Sequence, residues 1–495
     1  MSSQPSALRL YSTLTRSVQP FEPIEPGNIT LYTCGMTVYD DAHVGHAKVF
    51  TVTDTFVRYL RHRGWKVEYV RNFTDVDDKI IARAAERGEP PMELAERHIA
   101  NFLRDMDALG LLRPDHQPRV STSIPAIIEL TSKLVERGHA YPSEGSVWFH
   151  VPSHTAYGKL SGQKVDELRS ADADTGGKRH SADFALWKAH KPGEPHWESP
   201  WGPGRPGWHI ECSAMCAETL GETIDIHGGG LDLVFPHHEN EVAQSECAHG
   251  TTYARFWMHN GLLNMANGQK MGKSLGNAIG VKEILEQFPA EALRLYYLQV
   301  HYRSPLPWDP DTALPEALGM LARLYEAREV AEAMGGEEDA DNAARSLGAD
   351  AMRCLELGRG FRDALYGALD DDFNTAAALG HAFELARAVN RLGNHKKAKR
   401  RAGPVVAPAL EAFALLADAM GLLQLSTAAF QQEIRTKRLP LLGLSEDDVN
   451  AKLRARTEAR IDRDWAKADA IRDELEAASI VVMDGDGGSE WRVRL

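Results

Sequence analysis

Apolar positions follow two regimes along the chain. Up to about residue 265, short apolar runs of strand length alternate with stretches of helical spacing; beyond Asp309 the apolar residues recur almost wholly at helical spacing. Residues 30–34 form a β-type run that Gly35 breaks, and Val49, Val52, Phe56, Tyr59 and Leu60 then share one helical face. A turn at Gly64 leads into residues 65–73, where Val67, Tyr69 and Phe73 mark a second strand. Strand, helix and strand in that order predict a parallel βαβ unit. The lead-in up to about Asn28 is interrupted by Pro20, Pro23 and Pro26.

Residues 81–112 and 124–137 read as helices. Between 141 and 209 the tryptophans at 148, 187, 197, 201 and 208, interleaved with glycine, proline and histidine, predict a compact insertion of short strands and loops, with a polar stretch at 162–181. The sheet pattern resumes near Trp208: a short helix, a strand at 223–227, a glycine loop at 228–230 and a helix from 235 to about 248. Residues 267–277 are a glycine-rich basic loop. Helices follow at 314–334, 350–369, 375–392 and 408–423, with an acidic break at 337–342 and a loop at 424–444. A charged helix at 446–478 and a β-like end at 480–494 close the chain, which shows no internal repeat.

A length of 495 residues implies about two to four domains. With 43% hydrophobic and 25% charged residues the composition is that of a globular protein; no apolar run approaches a membrane span, and residues 1–10 lack the apolar core of a signal peptide, so a cytoplasmic location is expected. Five scattered cysteines, Cys34, Cys212, Cys216, Cys247 and Cys354, argue against a disulfide framework and leave metal ligation or burial. The net charge of −14 opposes unspecific nucleic-acid binding and requires any such partner to meet local basic patches. Candidates are residues 395–401, then Arg435, Lys437 and Arg438, then Arg454, Arg456 and Arg460, although single runs of this kind are more often solvated helix faces.

Three constellations carry chemistry. The strand, turn and helix start at residues 30–48 make an anion site, where helix N–H groups, His43 and His46 face a phosphate and Gly45 lets a nucleotide approach the backbone. His237 and Glu241, four residues apart, project from one predicted helical face and suit a pair of zinc ligands, with a capping glutamate and scattered buried cysteines as the equally weighted alternative. Cys34 and Cys212 could complete the set, with Cys216 and His238 as rivals. Lys270 and Lys273, between Gly268 and Gly272 and followed by Ser274, could fold a cationic loop over phosphates. Asp75, Asp77 and Asp78 fall at the carboxyl edge of the sheet, where ligands of open α/β sheets bind; capping of the helix near Lys79 explains Asp75 or Asp77 equally well.

His43-Val44-Gly45-His46 and Lys270-Met271-Gly272-Lys273-Ser274 resemble the HIGH and KMSKS signatures of class I aminoacyl-tRNA synthetases. Residues 34–40, 72–79, 207–215, 227–241 and 464–469, with Trp491, resemble the cysteinyl-tRNA synthetases within that class. Val44 replaces isoleucine conservatively. Gly272 replaces the usual serine, a change that removes a hydroxyl and is expected to lower loop order without loss of activity, since both lysines remain. The resemblance implies an α/β fold: a Rossmann-like parallel-sheet catalytic domain at 1–120 and 207–265, an insertion at 121–206, a signature-loop and stem-contact region at 266–325, a helical tRNA-binding bundle at 326–430, and a small α+β anticodon-binding module at 431–495.

It further implies ATP-dependent activation of L-cysteine and its transfer to tRNA(Cys) by a monomer. His43, His46, Lys270 and Lys273 would be catalytic; His43, Gly45, His46, His227, Gly229, Lys270 and Lys273 would bind ATP, with Asp232 near the adenylate. Thr74 and Trp208 would line the amino-acid pocket. Cys34, Cys212, His237 and Glu241 would hold one Zn²⁺ per subunit, and Mg²⁺ would accompany ATP. Two alternatives share these motifs: a mycothiol-pathway ligase that passes cysteine to a glucosaminyl-inositol, and a catalytically silent zinc- and tRNA-binding module. The C-terminal extension of about 170 residues and its basic patches favour the synthetase over the first, and the presence of both signatures and all four ligands disfavours the second.

Overall fold

In the computed structural model, which describes residues 8–168, 176–265, 278–485 and 488–494, the first predicted strand does not stop at Gly35 but runs as Asn28–Thr37. Gly35 is required by proximity: a Cβ there would lie 1.7 Å from the Asn72 carbonyl oxygen of the neighbouring strand, and the register shifts between Thr33 and Met36. The partner is Lys66–Thr74, parallel as predicted. On the other side Asn28–Thr37 pairs with Ile224–Gly230, which pairs in turn with Ala254–Asn260, so four parallel strands form one sheet. Gly228 to Gly230, expected to be a loop, are therefore strand residues in register with Met258 to Asn260.

The described residues divide into two compact units, and the first takes 1–278, 300–307 and 367–375. The proline-broken lead-in proves to be a hairpin of Arg9–Ser12 and Ser17–Pro20. The single helical pattern at 81–112 is two helices, Asp78–Arg87 and Pro91–Ala108, because Gly88 terminates the first in a left-handed conformation and Pro91 starts the second. The insertion carries a four-stranded antiparallel sheet in the order Ala140–Ser143, Ser146–Phe149, Phe184–Ala189, Gly204–Pro206. Its Val147, Phe149 and Trp187 share one continuous apolar core with Ile127 and Leu134 of Ile124–Glu136 and with Val70, Ile210 and Trp257. At roughly 1.5–3 kcal/mol for each buried large side chain, this shared core makes the insertion integral to the unit.

The second unit takes 279–299, 308–366 and 376–495. Its helices include Ala313–Glu332, Ala340–Leu347, Thr375–Gly393 and Gly403–Met420. Gly403–Met420 is long and apolar enough to cross a membrane by length and composition, contrary to the sequence reading, and half of it is buried. The expected loop at 424–444 contains a helix, Thr427–Arg438, capped by Ser426 and anchored by Phe430 stacked on Tyr325 at 3.9 Å. Two apolar anchors, Phe430 and Ile434, among polar residues hid it from periodicity. The charged helix at 446–478 is Glu446–Ile461 and Trp465–Ala477, parted where Arg463 turns left-handed; the predicted β end is the hairpin Ile480–Gly485 and Gly488–Val493.

Candidate active site and metal centre

A cavity of about 510 Å³ opens at the carboxyl ends of the parallel strands, the place the sequence predicted. His43 is the N-cap of Val44–His62. Its Nδ1 accepts from the Gly45 and His46 N–H groups at 3.0 and 3.4 Å, the His46 Nδ1 accepts from the His43 N–H at 3.3 Å, and the two rings stack at 3.7 Å. The histidines therefore satisfy amides that were expected to face a phosphate. A ring whose Nδ1 accepts carries its proton on Nε2, so each histidine presents Nε2–H as a donor. Gly45 serves this cap as well, because a Cβ would come within 2.8 Å of the His43 ring.

Opposite lies the sulfur-rich cluster. Cys34 lies within Asn28–Thr37, Cys212 lies on Trp208–Leu220, His237 follows Pro236, and Glu241 lies in the first turn of Glu239–His249. All four are buried, their ligating atoms lie within 4.8 Å of one another, and no disulfide joins the cysteines. The Cys34 Sγ is 3.5 Å from the Cys212 Sγ and 3.4 Å from Glu241 Oε1, and His237 Nε2 is 3.1 Å from the same oxygen. Bonds of roughly 2.0–2.3 Å to a tetrahedral ion place ligand atoms about 3.3–3.8 Å apart, so the donor set fits a zinc-sized cation.

The electrostatics agree. The Cys34–Cys212 hydrogen bond lowers the Cys212 thiol to about 6, while burial pushes Cys34 well up. Burial opposes ionisation of Glu241, but the His227 and His237 imidazoles outweigh it and hold the carboxyl low. A thiol drawn down by its neighbour and a carboxyl held low are thus packed together out of water, an arrangement that a divalent cation would balance.

Of the rival ligands, Cys216 falls outside every group close enough to hold an ion among the described residues. His238 does not: with His227, Cys34 and Glu241 it forms a second group. The two groups differ in access. Cys34, Cys212 and His237 line the cavity, whereas His227 and His238 lie behind it. His227, expected at the nucleotide, is fully buried; its Nε2 meets Glu241 Oε2 at 2.9 Å and its ring stacks on Trp257 at 4.4 Å. Gly229 likewise packs against His238, where a Cβ would come within 2.9 Å, and it is Gly230 and the exposed Asp232 that reach the cavity.

Thr74 and Trp208, expected beside the amino acid, both line the cavity. Thr74 Oγ1 donates to Glu211 Oε2 at 2.9 Å, and the Trp208 ring stacks on His237 at 4.3 Å. Asp77 caps the following helix through the Lys79 N–H and Asp75 accepts from Ser121, so the capping reading holds for the first and a loop anchor explains the second. Lys270, Gly272, Lys273 and Ser274 lie outside the described residues. Sequence reasoning missed three supports: Tyr253, whose hydroxyl donates to Glu241 Oε2 at 3.1 Å; His209, whose Nδ1 meets His237 Nδ1 at 3.0 Å; and Asn72, which accepts from the Gly35 N–H at 2.8 Å. None carries a spacing signal, since each comes from a separate segment.

Several basic candidates of the second unit are spent internally. Arg456 is buried and forms a two-pronged pair with Asp484, Arg435 lies over Trp491, and Lys437 donates to the Leu285 and Phe288 carbonyls. Lys396, Lys397, Lys399, Arg400 and Arg454 remain exposed.

Comparison with known proteins places these features in a family. Residues 20–318 match the class I (C) tRNA synthetase catalytic domain, 364–424 the DALR domain, and 444–492 the cysteinyl-tRNA ligase anticodon-binding domain. The chain is 45% identical to a cysteine–tRNA ligase of Geobacter metallireducens over 99% of this chain and 100% of that one. It is 49% identical to one of Alkalilimnicola ehrlichii over 98% and 99%. Among solved structures, a Mycobacterium tuberculosis methionyl-tRNA synthetase in complex with methionyl-adenylate superposes with a TM-score of 0.61 at 16% identity, covering 86% of this chain and 96% of that one, which speaks for the fold alone. The chain belongs to the cysteinyl-tRNA ligase family of class I aminoacyl-tRNA synthetases.

Proposed function

We propose that this chain activates L-cysteine with ATP to cysteinyl-adenylate and transfers the cysteinyl group to the 3′ end of tRNA(Cys). The observation that carries the reading is one cavity whose wall holds both the His43–His46 pair and a Cys34, Cys212 and His237 face backed by Glu241. In the first step a carboxylate oxygen of cysteine attacks the α-phosphorus and pyrophosphate leaves. His43 and His46 donate through Nε2–H to the phosphate oxygens, where charge grows in the transition state. Lys270 and Lys273 take up the charge of the leaving pyrophosphate, with Mg²⁺ accompanying ATP. In the second step a terminal hydroxyl of the tRNA attacks the carbonyl carbon of the mixed anhydride, AMP leaves, and the hydroxyl proton passes to the departing phosphate or solvent.

Cys34, Cys212, His237 and Glu241 hold one zinc ion, which when bound supplies a soft Lewis acid that prefers a thiolate to a hydroxyl. Trp208 and Thr74 wall the amino-acid side, and Asp232 approaches the ribose side. His227 and Tyr253 orient Glu241 from behind rather than touching ATP. The helical bundle at 326–430 and the module at 431–495 receive the tRNA, and the enzyme works as a cytoplasmic monomer. Cysteine-dependent exchange of pyrophosphate into ATP, run with cysteine and serine side by side, tests activation: exchange with cysteine alone is expected, and equal rates with serine overturn the assignment. Charging of a tRNA(Cys) transcript, set against a glucosaminyl-inositol acceptor, tests the second substrate.

A further inference from the structure

Lys48 lies one turn into the helix that His43 caps, and it is 1% exposed. Its ammonium donates to the Gly261 carbonyl at 2.5 Å and to the Ser304 carbonyl at 3.1 Å. No carboxylate partners it among the described residues, and burial alone draws its pKa down to about 8. An apolar chain of similar length would fill the space without that desolvation cost, so what the ammonium contributes is the pair of carbonyl bonds.

Ser304 packs directly against Gly261, and Gly261 belongs to one wall of the cavity. Asn260, Gly261, Leu262 and Leu263 line it. The Gly261 N–H donates to the Tyr302 carbonyl at 2.9 Å, the Leu306 N–H donates to the Leu262 carbonyl at 3.0 Å, and a Cβ on Gly261 would lie 2.3 Å from the Ser304 oxygen. Asp372 secures the far side, accepting from the Tyr302 hydroxyl at 3.0 Å and from Arg303 Nε at 2.8 Å. Lys48 is thus a tie between the helix that carries the histidine pair and the backbone facing it.

We infer that Lys48 is a positioning residue for the nucleotide half of the cavity, fixing the distance between His43–His46 and the wall at 260–263. It acts on ATP and not on cysteine, whose side of the cavity it does not touch. The inference rests on the reading above, and its test separates the two. Lys48→Met, Lys48→Arg and Gly261→Ala are prepared as full-length metal-loaded protein. Pyrophosphate exchange gives KM for each substrate, and calorimetry gives ATP affinity directly.

Loss of two charge-assisted hydrogen bonds predicts KM and Kd for ATP raised on the order of tenfold or more in Lys48→Met. KM for cysteine and bound metal stay as in the wild type. Lys48→Arg recovers most of the loss, and Gly261→Ala, which crowds the same wall from the other side, repeats the ATP-selective defect. Wild-type ATP affinity in Lys48→Met, or a defect falling equally on both substrates, overturns the inference. Should Lys48→Met not fold, Gly261→Ala and Lys48→Arg decide by the same criterion. A wild-type chain without exchange activity sinks the functional reading, while its ATP titrations still report on Lys48.

Discussion

His43 holds two duties that substitution can separate. Its Nδ1 caps the helix, and in the proposed mechanism its Nε2–H donates to phosphate. Asparagine is a good N-cap but cannot reach as far, whereas alanine does neither. His43→Asn is expected to keep the wild-type melting temperature and slow adenylate formation, while His43→Ala loses activity and also about 1 kcal/mol of stability; equal melting temperatures for the two variants would refute the cap's contribution. At the cluster, Cys212→Ser replaces a soft donor with a hard one. Metal per chain, read by elemental analysis, is expected to fall and KM for cysteine to rise, with the protein still folded; unchanged metal content would remove Cys212 from the ligand set. The His237–Glu241 pair was legible in the sequence because a helix converts a spacing of four into a shared face. The burial of His227 was not, since only the neighbouring strand at Trp257 and the helix at Glu241 show which way its ring points.

Among the elements, glycine was the main source of error. Gly35 and the run Gly228 to Gly230 look like breaks in one dimension, yet they lie inside strands, where Gly35 is demanded by the Asn72 backbone. The C-terminal hairpin offers a test of an element held by charge. Hydrogen bonds from Arg456, and then from Ser489, hold the Asp484 carboxyl well below the usual range. A depressed folded pKa contributes stability above the unfolded value of about 3.9 and loses it as pH falls through the folded one. Wild type is therefore expected to melt higher than Asp484→Asn at pH 7, with the gap narrowing by pH 3; a gap independent of pH would contradict the pairing. Because Asp484 is partly exposed, solvent screens the effect and a small gap is expected.

For the whole molecule, a charge of −14 leaves tRNA binding to local cations. The exposed Lys396, Lys397, Lys399 and Arg400 are the strongest candidates, because Arg435, Lys437 and Arg456 are already engaged within their own unit. Each phosphate contact adds roughly 0.7–0.9 to the slope of log affinity against log salt. Replacing those four with alanine is expected to flatten the salt dependence of tRNA charging and to leave pyrophosphate exchange without tRNA unchanged. A variant with the wild-type slope would move the contact elsewhere.

Local pattern sufficed for the parallel βαβ frame, the helical second half, the β end and the helix start at His43, because periodicity, capping and short motifs are properties of neighbours along the chain. Which cysteine and which histidine share a site is a different kind of question. Cys34 and Glu241 are separated by 207 positions and meet at 3.4 Å, and Lys48 meets Gly261 across 213. Such pairings depend on how the sheet stacks its strands and on which side chains its core excludes from the cavity, so only the packed molecule decides them.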